Sequence, residues 1–132
     1  ADLGIDLIIG GHPHVVQDHG ILTAADGRKV PVVYALGNLI SNQRWEDSNG
    51  GIMTTVDIDR ETHKIVSIDF IPVYVHKGSL MNERRNYYCV PTVDYLRGDL
   101  PFTLPNDSLE QDLRLFHSNT TKRLSTSMSW EK

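Results

Sequence analysis

The chain has 132 residues, 39% of them hydrophobic and 23% charged, which suits one domain with a buried core. Thirteen Lys and Arg against 17 Asp and Glu give a formal net charge of −4. The pairs Arg84–Arg85 and Lys122–Arg123 are too short for a basic stripe and read as solvated surface, so no nucleic-acid partner is expected. A single cysteine, Cys89, excludes an internal disulfide and a CxxC zinc site, and no run of about eighteen apolar residues is present to span a membrane.

The chain opens on Ala1-Asp2-Leu3 and passes almost at once into an apolar run. That opening reads as the middle of a packed unit, a piece of a longer protein whose targeting signals would lie upstream. Residues 6–9 form a short apolar strand closed by Gly10-Gly11. Residues 14–22 are expected as a strand with a kink near Gly20. Asp26-Gly27 is a turn signal. Residues 30–36 are a second good strand, rich in Val, broken by Gly37-Asn38. A polar loop, 41–49, holds Trp45. Residues 52–59 alternate, with Ile52, Thr54, Val56 and Ile58 on one face. After a turn at 60–63, residues 64–75 return as a second alternating strand, completing a hairpin.

Beyond Lys77 the pattern weakens, and Pro91, Pro101 and Pro105 punctuate short segments. Cys89, beside Tyr87, Tyr88 and Val90, is expected to be buried and structural. Ser108 and Gln111 fit a capping box, and Leu109, Leu113 and Phe116 follow at helical spacing. A helix is expected from about 108 to 115, extending at most to 124. Residues 1–124 are read as one domain portion and 125–132 as a loose tail.

Chemistry concentrates in Gly10-Gly11-His12-Pro13-His14. In an extended chain, residues i and i+2 point to the same side. Pro13 fixes its own φ and biases His12 towards extended geometry. Both imidazoles can then project from a strand end, beside glycines that let backbone approach a ligand. Imidazole nitrogen suits zinc, iron and manganese. Two histidines alone cannot complete a site, since catalytic zinc usually takes three protein ligands. Ordinary polar histidines are the competing reading. His19, His63, His76 and His117 have no distinctive setting. Asn38 either supports the site by its amide or is a turn asparagine beside glycine.

The stretch from Gly4 through Gly10-Gly11-His12-Pro13-His14-Val15-Val16-Gln17 resembles the CapA family of bacterial capsule-synthesis proteins. So does Pro31-Val32-Val33-Tyr34-Ala35-Leu36-Gly37-Asn38-Leu39-Ile40-Ser41-Asn42-Gln43, where Ala35 stands for the usual Ser and Leu39 for the usual Phe. The likeness covers the first half well and the remainder loosely. It implies a calcineurin-like metallophosphoesterase fold: a β-sandwich with flanking helices, α+β or α/β in class, of which this stretch would be a mostly β part. It implies a two-metal site of manganese, iron or zinc. His12 would bind one metal and His14 the other, with Asn38 and Gly11 behind the ligands or beside the substrate. The superfamily's DxH, GDxxD and GNH[DE] segments do not occur here, so the chain alone is not expected to be a competent enzyme.

The resemblance further implies a role in making or attaching capsular poly-γ-glutamate. It implies an anionic polymer or phosphoester as substrate, other capsule-synthesis proteins as partners, and an extracytoplasmic, membrane-associated parent. Three readings stay open: a metal-dependent hydrolase, a non-catalytic capsule-assembly or polymer-binding module, and a structural use of the two histidines.

Overall fold

A computed structural model describes residues 1–80 and 87–124. The Arg84–Arg85 pair and the tail 125–132 lie outside the described residues. The first sheet contains β1 (Ile8–Ile9), β2 (His19–Thr23) and β3 (Lys29–Val33) in the order β1-β3-β2. β1 pairs with β3 in parallel and β2 with β3 antiparallel. The second sheet is the antiparallel run β4 (Gly50–Ile58), β5 (Ile65–Lys77) and β6 (Tyr87–Pro91). Two helices follow, α1 (Thr92–Arg97) and α2 (Asp107–Leu124). The described residues are mostly β, and the α+β class expected from sequence is borne out.

The β4–β5 hairpin forms because both strands alternate. Ile52, Thr54 and Val56 stand opposite Pro72, Phe70 and Ile68. The pairing slips near the hairpin end, where Ile58 faces Ile65. Val66 is left as the extra residue and points to solvent, 57% exposed. The Asp26-Gly27 turn also forms, with Gly27 at φ 87° and its N–H donating to the Ala24 carbonyl.

α2 presents Leu109, Leu113, Phe116, Thr120 and Leu124 at helical spacing, and Leu113, Phe116 and Thr120 are fully buried. Tyr74, Val90, Tyr95, Leu104, Leu113 and Phe116 form the larger core. A smaller core of Val16, Val33 and Ile52, with Leu36, Phe70 and Leu124 against it, joins the two sheets. The end of α2 is tied to the first sheet, since His19 Nε2 donates to the Leu124 carbonyl over 3.1 Å.

Several expectations are corrected. Residues 14–18 are not part of β2, although 16–18 follow its register irregularly: Val16 makes an isolated bridge to Leu36, Gln17 N–H bonds the Ala35 carbonyl and Tyr34 N–H the Asp18 carbonyl. Gly20 pairs normally with Val32, without a kink. The α2 cap is Asn106 rather than Ser108: its Oδ1 accepts Leu109 N–H over 3.1 Å. β6 and α1 form where sequence showed only punctuation. Cys89 is exposed rather than buried, because β6 turns Val90 to the core and Cys89 to the other face.

Candidate functional site

The loop after β1 is held by backbone packing. Gly10 N–H donates to the Val33 carbonyl over 2.7 Å. A Cβ on Gly10 would lie 2.3 Å from the Tyr34 carbonyl oxygen, so the glycine is required by that close approach. Gly11 is exposed with open space above its Cα. His12 and His14 are both exposed, and Pro13 between them is half-buried. His12 sits at φ 123°, not in the extended region expected from its place before Pro13. The simple i, i+2 alternation therefore does not describe this loop. Positive φ at a residue bearing a Cβ costs on the order of 1–3 kcal/mol and persists only where surrounding structure imposes it.

The second motif meets the first through Asn38. Residues 36–38 are stitched to the start of β4: Ile52 N–H donates to the Leu36 carbonyl over 2.8 Å and Asn38 N–H to the Gly50 carbonyl over 2.9 Å. The two backbones touch so closely that a Cβ on Gly51 would lie 2.7 Å from the Leu36 oxygen. This seam buries Asn38, 8% exposed, beneath the histidine loop. Asn38 Nδ2 lies 3.1 Å from the His14 carbonyl, 2.7 Å from the Ser48 carbonyl and 2.9 Å from Gln43 Oε1. Its Oδ1 lies 2.8 Å from His14 Nδ1.

These contacts settle the proton positions. Carbonyl oxygens only accept, so the His14 and Ser48 carbonyls fix which end of the amide is Nδ2. Oδ1 then faces His14, and Nδ1 must carry the proton that it donates. In the neutral ring Nε2 then keeps its lone pair, and the ring is exposed. A ring held by Nδ1–H with Nε2 free is the form in which histidine binds a metal.

The other histidines are engaged elsewhere. His19 is buried and stacks on Phe70 with ring centroids 5.1 Å apart. His117 Nδ1 bonds Thr92 Oγ1 over 2.8 Å. His63 lies in the exposed hairpin turn and His76 in the core. Asp6 is paired with Arg28 at 3.2 Å. Among the described residues, no group of three or more His, Cys, Asp or Glu could hold a metal ion. The ring orientation of His14 and its Asn38 support are compatible with an imidazole ligand, and no carboxylate is grouped with it among the described residues. Gln43 and Ser48, which complete the Asn38 cradle, are not singled out as site residues by sequence; both belong to the polar loop after Gly37-Asn38, and Gln43 also closes the second resembling stretch.

Residues 1–43, which hold both motifs, match the profile of the family described as Bacterial capsule synthesis protein PGA_cap. The chain is also similar to the capsule biosynthesis protein CapA of Bacillus anthracis, 24% identical over 128 residues. That alignment covers 93% of this chain and 29% of the relative's length. The CapA-type resemblance seen in the motifs is borne out by both matches. No solved structure matches the chain.

Proposed function

We propose that this chain supplies the paired-histidine arm of a metal-dependent hydrolase site within a capsule-synthesis protein. The reading rests on one observation above all: Asn38 holds His14 in the tautomer that offers Nε2 outward. The strained His12 backbone next to it supports the same view, since such outliers cluster at functional sites. His12 and His14 would each give one neutral nitrogen to a divalent ion, manganese, iron or zinc, and Gly11 would leave room for substrate above the loop. When bound, such ions lower the pKa of a water and clamp the reacting oxygens. The part played by this chain is to fix ring orientation and proton position.

The substrate class in this reading is an anionic polymer, poly-γ-glutamate foremost, or a phosphoester. Other capsule-synthesis proteins would be partners, and the location would be extracytoplasmic and membrane-associated. No helix among the described residues is long and apolar enough to cross a membrane. Calorimetric titration with manganese or zinc, comparing the unaltered protein with His14→Ala and Asn38→Ala, tests the proposal. Loss of binding in His14→Ala and a drop of about tenfold or more in Asn38→Ala are expected. Equal binding in all three would overturn the ligand assignment. Metal binding without hydrolysis of either substrate class would favour the polymer-holding module.

A further inference from the structure

Behind the Asn38 cradle lies a second polar cluster, built on the buried Asp47, that the hydrolase reading does not use. Asp47 is 9% exposed and sits at φ 62° in the loop between Asn38 and β4. Asn119 Nδ2 donates to its Oδ1 over 2.9 Å, and Arg123 Nη2 donates to its Oδ2. Both partners come from the last turns of α2. The neighbouring residue, Ser48, is wholly buried, and its carbonyl is the shortest acceptor of the Asn38 amide, at 2.7 Å.

We infer that Asp47, with Arg123 and Asn119, is a positioning latch that sets the His14 tautomer from a distance. The inference rests on His14 being a ligand, but its first readout does not. The buried carboxylate draws the loop against α2 and fixes the left-handed turn at Asp47, a conformation aspartate tolerates better than most residues. That turn aims the chain into Ser48, and the Ser48 carbonyl together with that of His14 decides which way the Asn38 amide faces. Oδ1 is thereby left to accept the His14 Nδ1 proton. Loosening Asp47 frees the Ser48 carbonyl, lets the amide turn over, and removes the acceptor that holds the proton on Nδ1.

The helix end is itself anchored. His19 bonds the Leu124 carbonyl, and Leu124 packs against the core of Val16, Val33 and Ile52. The latch therefore pulls against a fixed post. The Asp47 side chain is 10% exposed and that of Arg123 37%, so the carboxylate bears most of the desolvation cost, and loss of Arg123 leaves that buried charge without its cation. A positioning role gives such a pair a reason to be there.

The test records long-range proton–nitrogen correlations of the metal-free protein carrying isotope-labelled histidine, which report the His14 tautomer directly. Arg123→Met and Asp47→Asn are compared with the unaltered protein; the second keeps tolerance of the left-handed turn while removing the charge, and decides the matter if the first fails to fold. Val90→Ala, which only weakens the core, is the control. The expected result is a shift of His14 away from the Nδ1–H form in both latch variants and none in Val90→Ala. A fall of about tenfold in metal affinity should accompany it. An unchanged His14 tautomer in folded latch variants, or an equal change in Val90→Ala, overturns the latch. If the tautomer responds while the unaltered protein binds no metal, the latch stands and the ligand reading falls.

Discussion

His12 and Asn38 show how much of the site depends on single backbone and amide orientations. At φ 123° the His12 Cβ is strained, and glycine would occupy that geometry freely. His12→Gly is therefore expected to be more stable than His12→Ala by about 1 kcal/mol in urea unfolding. Equal stabilities would show that the loop relaxes once the imidazole is gone. Asn38→Ala removes the amide that satisfies the buried Ser48 carbonyl and should cost about 1–3 kcal/mol in the same measurement. Gly10→Ala should cost a similar amount, because its Cβ would meet the Tyr34 carbonyl oxygen, whereas Gly11→Ala faces open space and should be near neutral. The pairing of Asn38 with His14 was readable from sequence only as one of two alternatives. Gly37-Asn38 signals a turn whatever the asparagine does, and only the seam between residues 36–38 and β4 brings it under the histidine loop.

At the scale of elements, legibility followed periodicity. The β4–β5 hairpin and α2 carry regular apolar patterns, and both appear close to where the sequence puts them. β6 and α1 were missed because α1 is a six-residue helix starting directly after Pro91, too short to show a helical stripe. Its end is defined instead by Gly98 in the left-handed region, whose N–H bonds the Tyr95 carbonyl over 3.0 Å. Asn106 was overlooked as the α2 cap since Ser108 offered a more familiar pattern. β5 also carries His76, 2% exposed, with neither ring nitrogen hydrogen-bonded among the described residues. Burial, and then the Arg44 guanidinium, lower its pKa below 6.5; burial lowers that of His117 in the same way. Both groups titrate near 6.5 when unfolded, so between that value and their folded pKa the unfolded chain binds more protons. Their contribution to stability is fully present above about pH 6.5 and is lost as pH falls towards the folded values. Denaturant melts should show this decline below pH 6.5. His76→Leu should flatten part of it and remove two unpartnered buried nitrogens. An unaltered pH profile in His76→Leu would mean that His76 takes up its proton alike in the folded and the unfolded chain.

For the whole molecule, the arithmetic of ligands sets the expectation. The described residues join two sheets through a seam that presents His12 and His14, while Asp6 is paired with Arg28 and Asp47 with Arg123 and Asn119, and no acidic group is clustered with the histidines. Two dications about 3.5–4 Å apart need a bridging carboxylate, because without one their mutual repulsion is uncompensated. An ion held only by exposed imidazoles keeps most of its waters and exchanges readily. The chain spans 29% of the length of the CapA relative, which leaves ample sequence in a protein of that size for further ligands. Residues 1–132 alone are thus expected to take up manganese or zinc weakly and to hydrolyse neither phosphoester nor polyglutamate. A protein of the relative's length that contains them should bind two ions and lose both with His12→Ala and His14→Ala combined. Titration calorimetry of both proteins, with metal counted after dialysis, checks this. Tight uptake of two ions by residues 1–132 would sink the ligand count and require carboxylates of this chain to move to the histidine loop when metal binds.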